Sequence, residues 1–303
     1  MTLRFTVIPL VWLILAPVLS GMKVGTYNIR YDNPGDVEDG NQWPRRAPVI
    51  ASLIRFHEFD VLGTQEGFQH QMEDLRKLLP EYDCVSFGRN DGKLEGEHAG
   101  IFYRKDRFEV RESGMFWLSE TPDRPGKGWD ADLPRICSWA KMRRIPDGKP
   151  FCFMTVHLDH RGSLARVESM KLLLEKSATL AGPDPVFLVG DFNTDQHSEA
   201  FRFLTSKGTL EDAAEKAEVR YLLNGTANRF DPDSRTESRI DHVLTSPGTR
   251  VRRFGVLTDS YRVTKSNPQD SESGNFPKEV RFRESEARLP SDHFPVLVET
   301  SDP

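Results

Sequence analysis

PVFLVGDFN, residues 185–193, is apolar or small as far as Gly190 and then ends abruptly in Asp191 and Asn193. A run this apolar is a strand buried on both faces, and a solvent-facing surface does not place GDFN at its end. Five other segments repeat the pattern: VGTYN at 24–28 (Asn28), VLGTQE at 61–66 (Glu66), MTVHLDH at 154–160 (His157), RIDHVL at 239–244 (Asp241) and LPSDHFPVLV at 289–298 (Asp292, His293). Strands that bring oxygen and nitrogen groups to one rim of a sheet supply what hard-cation phosphoryl chemistry requires.

Around these segments the chain begins as strand, helix, strand, helix. KVGTYNIR leads through a polar loop to a helix with Val49, Ile50, Leu53 and Ile54 on one face, its start confined by Pro44 and Pro48. FDVLGTQE and the amphipathic QHQMEDLRKLL follow. Consecutive strands come next, AGIFYR, FEVRESGMFWL, ICSWAKMRR and PFCFMTVHL, the last two joined by the turn IPDGKP. The helix LARVESMKLLLEKSATL, the strand PVFLVGDFN, and the strands RIDHVLTS, VRRFGVLTD and FPVLVET complete the set. Hairpins mixed with helices imply an α/β fold of two mixed sheets packed face to face with helices outside. The polar stretch 259–288 is either a wall of the site or disordered.

The chain has 303 residues, 37% hydrophobic and 29% charged, enough for a full core. The site segments span 28 to 293, so one domain is expected over 22–303. Residues 1–21 read as a signal peptide: Arg4, an apolar stretch from 5 to 19, then the small Val18 and Ser20, with cleavage after Ser20 or Gly21. Export to a periplasmic or extracellular location is expected, or membrane anchoring if the segment stays uncleaved.

A formal net charge of −5 gives no global attraction to polyanions. The clusters Arg45/Arg46, Lys141/Arg143/Arg144, Arg250/Arg252/Arg253 and Arg281/Arg283 are interspersed with acids or apolar residues and read as solvated faces rather than a nucleic-acid track. Trp43, Trp117, Trp129 and Phe294 are candidate stacking surfaces, with Trp117 also reading as core. Cys84, Cys137 and Cys152 lack CxxC spacing and read as unpaired core thiols.

Taken singly, each site residue has a plain alternative. Glu66 is a solvated strand end or a ligand. Asp292 and His293 form a Ser-Asp-His turn or part of a site, His157 is a satisfied core histidine or functional, and Asn28 is a turn residue or functional. Asp241, inside a strand, needs a partner such as an imidazole. Taken together, TYN, QE, TVH, GDFN, ID and SDH occur in the order found in the endonuclease/exonuclease/phosphatase superfamily, and essentially all of the chain after the leader resembles it. FWLSETPDRPGKGWD, LPRICSWA and HLDHRGSLAR are similar to a bacterial branch related to nocturnin and the cytoplasmic deadenylases.

The resemblance implies a four-layer sandwich and a set of roles. Asn28, Glu66 and Asp292 would hold Mg²⁺ or Mn²⁺, and Asp191 and Asn193 would position the attacking water. His293, oriented by Asp241, would accept the proton or donate to the phosphate, and His157 would contact phosphate or assist the leaving group. Arg30 stands where apurinic-site endonucleases of the superfamily carry an acid, which argues against their second cation subsite. It forks onto a substrate phosphate or pairs with the acidic loop Asp32, Asp36, Glu38 and Asp39.

The function expected is a cation-dependent phosphoesterase, with a nuclease or nucleotide phosphodiesterase placed ahead. The alternatives are a phosphomonoesterase or lipid-headgroup phosphodiesterase of the sphingomyelinase kind, and an inactive binding module on the same fold. The partner implied is a phosphate ester, nucleic acid or nucleotide among the candidates, and the chain reads as a monomer.

Overall fold

Side chains in a strand alternate between faces, and this parity decides what meets at the site. A computed structural model describes residues 21–272, 275 and 277–301. The expected leader, residues 1–20, lies outside them. The elements in chain order are β1 Lys23–Asn28, α1 Trp43–Phe56, β2 Val61–Gln65, α2 Gln69–Leu78, β3 Tyr82–Gly88, β4 His98–Arg104, β5 Phe108–Trp117, β6 Ile136–Arg144 and β7 Pro150–His157. They continue with α3 Ser163–Ala181, β8 Val186–Asp191, α4 Glu199–Ser206, β9 Glu211–Asp212, α5 Ala213–Lys216, β10 Val219–Tyr221, β11 Asp241–Thr245, β12 Val251–Val256, β13 Tyr261–Thr264, β14 Asp270–Glu272, β15 Arg281–Arg283, β16 Ser285–Arg288 and β17 Val296–Thr300.

Seven strands form one sheet in the order β10-β12-β17-β1-β2-β4-β3, and six form a second in the order β5-β6-β7-β8-β11-β9. β1 runs parallel to β2 and antiparallel to β17, while β7 runs parallel to β8. The first and last strands are therefore neighbours. Val24, Val61, Ile101, Phe153, Phe187, Val189, Val243 and Val296 pack between the sheets. Tyr27, Ile29, Leu62 and Phe102 pack on the other face of the first sheet with Ile50 and Ile54 of α1 and Met72 and Leu75 of α2. Met154, Leu188 and Leu244 pack outside the second sheet with Met170 and Leu173 of α3 and Phe201 of α4. The result is the four-layer α/β sandwich.

One two-residue step from Val189 and Val243 leads to Asp191 and Asp241, and two such steps from Val24 and Phe153 lead to Asn28 and His157. All four lie on the inter-sheet face at the rim. The sheets also close tightly just below it. A Cβ on Gly63 would lie 2.5 Å from Val189 Cγ2, so glycine is required there. Beside it Gln65 Nε2 donates to Thr155 Oγ1 at 2.9 Å and ties one sheet to the other.

Several expectations change. α1 starts at Trp43 with Pro48 inside it, so Pro48 does not confine its start. The carbonyl that Pro48 leaves unserved is that of Pro44, and both prolines are exposed, where water serves it. β3, α4, α5, β9 and β10 escape the sequence reading, β3 because Asp83 and Ser86 break its apolar pattern. Within 259–288 two short hairpins form, β13 with β16 and β14 with β15. Arg288 at their base donates to the carbonyl of Asp39 and lies 3.3 Å from Asn41 Oδ1. The three cysteines are buried and unpaired.

Arg46 departs most from expectation. It is not on a solvated face but fully buried at 0% exposure. Its guanidinium donates to the carbonyls of Asn41 (2.6 Å), Ile29 (2.7 Å), Pro290 (3.2 Å), Arg30 (3.2 Å) and Tyr31 (3.4 Å). One side chain thus stitches the loop after β1 to the loop before β17. Desolvation lowers its pKa from the usual arginine value. Arg46→Met strands several carbonyls at once, each at about 1–3 kcal/mol, so urea unfolding should show a loss of at least about 3 kcal/mol. A loss below about 1 kcal/mol would mean that water replaces the guanidinium.

Candidate active site

The strands β1, β2 and β8 end in sharp turns, and at each turn a residue other than glycine takes a left-handed conformation: Arg30 (φ 57°), Glu66 (φ 69°) and Asn193 (φ 47°). Such residues cost about 1–2 kcal/mol each and gather where a site holds them in place. Asn28 is the hub. Its Nδ2 donates to Glu66 Oε1 at 2.8 Å and Asp191 Oδ2 at 3.0 Å, and its Oδ1 accepts Arg30 N–H at 3.0 Å. Glu66 Oε2 accepts Tyr31 N–H at 3.2 Å, and Ser291 Oγ donates to the Asn28 carbonyl at 2.7 Å.

Around Asp191 the groups converge. Its Oδ1 accepts Asn193 N–H at 2.9 Å, while Asn193 Nδ2 donates to the Leu158 carbonyl at 2.9 Å. His157 Nε2 lies 3.5 Å and His293 Nε2 3.9 Å from Asp191 Oδ2. His293 Nδ1 pairs with Asp241 Oδ2 at 2.8 Å, so Asp241 has the imidazole partner its burial demanded. The other Asp241 oxygen is buried without a partner among the described residues.

Burial, reinforced by the Asp241 charge, pushes the Asp191 carboxyl up to about 7. Burial holds His157 well below the ordinary histidine value, assisted by Arg135 and Arg89, so its ring is neutral. For His293, burial opposes the charged ring, but the Asp241 carboxylate and its hydrogen bond, with Asp191 and Asp292, outweigh it and leave the pKa well above the usual value. The Asp241 carboxylate thus favours the imidazolium form of His293.

Ligand atoms of Glu66, His157 and Asp191 lie within 4.8 Å of one another, as do those of Asp191, Asp241 and His293. The half-buried Glu66 and buried Asp191 carboxylates, which share the Asn28 amide as donor, fit a hard divalent cation. Glu66 and Asp191, with His157, would hold it. Asp292 lies outside both clusters. Its Oδ2 faces Arg30 Nη1 at 3.3 Å. The fork of Arg30 is closed on Asp36, Nε and Nη2 each at 3.1 Å, which is the acidic-loop pairing rather than a fork open to phosphate.

Residues missed in the sequence complete the wall. Arg89 pairs with Glu97 at 2.6 Å, and Arg135 lies 3.3 Å from Asp159. Glu97 and His98 precede AGIFY just as the six motifs border apolar runs, and that signal could have found them. The other basic clusters pair within the protein: Lys141 with Glu112, Arg143 with Glu109, Arg144 with Asp147, Arg250 with Glu218, Arg252 and Arg253 with Glu299, and Arg283 with Asp270. Trp43, Trp117 and Phe294 are buried and offer no stacking face.

A proton must leave Asp191 before a cation can take it. The folded pKa near 7 lies above the unfolded carboxylate value of about 3.9, so below neutrality the proton competes with the cation. The rise in Tm on adding Mg²⁺ should therefore be small at pH 5.5 and grow as pH passes about 7. Equal rises at both ends of the range would remove Asp191 from the cation site.

Paired buried carboxylates, an oriented imidazolium and a neutral imidazole on one rim of a two-sheet sandwich define a phosphoester-hydrolysing site. The chain belongs to the Endonuclease/Exonuclease/phosphatase family, whose profile matches residues 25–293, and it is a phosphoesterase of that family. Members typically use divalent cations. A mannosyl-6-phosphatase of Bacteroides thetaiotaomicron VPI-5482 is 48% identical, with a TM-score of 0.86 over 93% of this chain and 100% of that one. A family protein of Bacteroides thetaiotaomicron is 49% identical, also at TM-score 0.86, covering 93% and 98%. Nocturnin of Xenopus laevis is 26% identical over 186 residues, 57% of this chain and 46% of that protein.

Proposed function

We propose that this protein is a Mg²⁺- or Mn²⁺-dependent phosphomonoesterase acting on a phosphorylated sugar. The observation that carries the reading is the 48% identity, over nearly the whole of both chains, to a protein described as a mannosyl-6-phosphatase. The site supports it from a second direction. The surface arginines Arg143, Arg250, Arg252, Arg253 and Arg283 are engaged by carboxylates of the same chain, and three of the four candidate stacking aromatics are buried, which leaves less with which to track a polynucleotide.

In this reading Asp191 accepts the proton of the attacking water through a carboxylate oxygen that the cation leaves open, since Asp241 and Asp191 favour the protonated ring of His293. The water oxygen bonds to phosphorus, the bond from phosphorus to the sugar oxygen breaks, and the alkoxide takes a proton from solvent. His293 donates to a phosphoryl oxygen, with Asp241 fixing the ring. Glu66 and Asp191, with His157, would hold a divalent cation, which would supply neutralisation of the charge that builds on the phosphoryl and leaving oxygens. The partner is the phosphate ester, and the protein acts as an exported monomer; fractionation with amino-terminal sequencing tests the export.

Hydrolysis should be measured as phosphate from a hexose 6-phosphate and a nucleoside monophosphate, as p-nitrophenol from bis-p-nitrophenyl phosphate, as nucleotides from a single-stranded oligonucleotide and as phosphocholine from sphingomyelin, with Mg²⁺, Mn²⁺ or EDTA. The hexose phosphate should be turned over fastest and EDTA should abolish it. Faster cleavage of any diester would restore the nuclease or phosphodiesterase reading.

A further inference from the structure

Arg135 has a donor that nothing among the described residues serves. It stands just before β6 at 4% exposure. Nε donates to Asp159 Oδ2 at 3.3 Å and Nη2 to His160 Nδ1 at 3.0 Å, while the buried Nη1 has no partner among the described residues. The guanidinium cannot swing to find one. Asp159 is itself fixed by the N–H groups of Gly162 (2.7 Å), Arg161 (3.0 Å) and Leu133 (3.3 Å). An unserved buried donor costs about 1–3 kcal/mol. Arg135 lines a cavity of about 10 Å³ together with Glu66, Arg89, Glu97 and His157, close to the volume of one water or one hydroxyl group.

The walls of this cavity select the occupant. A second phosphate or carboxylate would be drawn by Arg89 and Arg135 but would meet Glu66 and Glu97, so its charge gains little. A hydroxyl needs one donor and one acceptor. Arg135 supplies the first, and the Glu97 carboxylate, steadied by Arg89 at 2.6 Å, supplies the second. We propose that Arg135 and Glu97 form a hydroxyl-reading subsite beside the scissile phosphate, which recognises one hydroxyl of the sugar that carries it. This rests on the sugar-phosphate reading above, and it makes Arg135 a specificity-determining residue. The donor is held in place before substrate arrives, so little ordering is required on binding.

The test compares mannose 6-phosphate with p-nitrophenyl phosphate, which has no sugar hydroxyl, in wild type, Arg135→Gln and Glu97→Met. Both variants should lose about 10–100-fold in kcat/KM on the sugar phosphate and less than about 3-fold on the aryl phosphate. Equal losses on the two substrates would make these residues part of the phosphate site, and no loss on either would mean that water serves Arg135; each overturns the proposal. If the variants fail to fold, wild type with monodeoxy hexose 6-phosphates decides it: one analogue should drop at least about 10-fold, and uniform rates would overturn it. Wild type that ignores every hexose phosphate but cleaves a diester refutes the underlying function, an outcome separate from these.

Discussion

Glu66→Gln should lower kcat by roughly 10²–10³-fold or more while the protein stays folded. The substitution removes one charge at nearly constant volume. Glutamine keeps an acceptor for Asn28 Nδ2 but sets an N–H against the Tyr31 N–H that now donates to Glu66 Oε2 at 3.2 Å. The cost to stability is therefore that of about one hydrogen bond, near 1 kcal/mol. The cost to activity is far larger, because in the proposed function this carboxylate would hold the cation together with His157 and Asp191. Calorimetric titration with Mn²⁺ should show affinity collapsing together with rate. More than about a tenth of wild-type turnover at saturating Mg²⁺ would show that Glu66 is not the principal ligand.

His293→Ala should cost about 10²–10⁴-fold in rate, and adding Asp241→Asn should change that by little more. Asp241 reaches the substrate only through the 2.8 Å bond to His293 Nδ1, so the two act as one unit and their losses should not multiply. Asp241→Asn alone supplies a signature that a packing role would not. The carboxylate is the main influence holding the imidazole pKa up against burial. Its removal should let that pKa fall, and the alkaline limb of the rate profile should move to lower pH. Multiplying losses, or an unmoved profile, would mean that the two residues act separately.

The motifs were legible because strand chemistry is local. An apolar run that ends in GDFN, TVH or TQE shows both where a strand stops and that its end carries chemistry, and parity then fixes which face Asn28, His157, Asp191 and Asp241 share. The Asp241 partner could be inferred for the same reason, since a carboxylate buried in a strand needs one. β3 and α4 were not legible, as their apolar signals are short and interrupted and only packing on a neighbouring element stabilises them.

The sequence by itself thus determined the two-sheet sandwich, the family, and the residues that gather at the rim. Tertiary structure decided what each charged side chain meets. Arg46 lies in a stretch that reads as a solvated basic face, yet carbonyls from two separate loops surround it. Arg30 closes on Asp36 and Asp292, and Arg135 is left, among the described residues, with one donor unserved beside the site. The physical reason is range. Periodicity and chain-end chemistry are written within a few residues, whereas the partner of a charge comes from wherever the chain returns, here as far apart as residues 30 and 292.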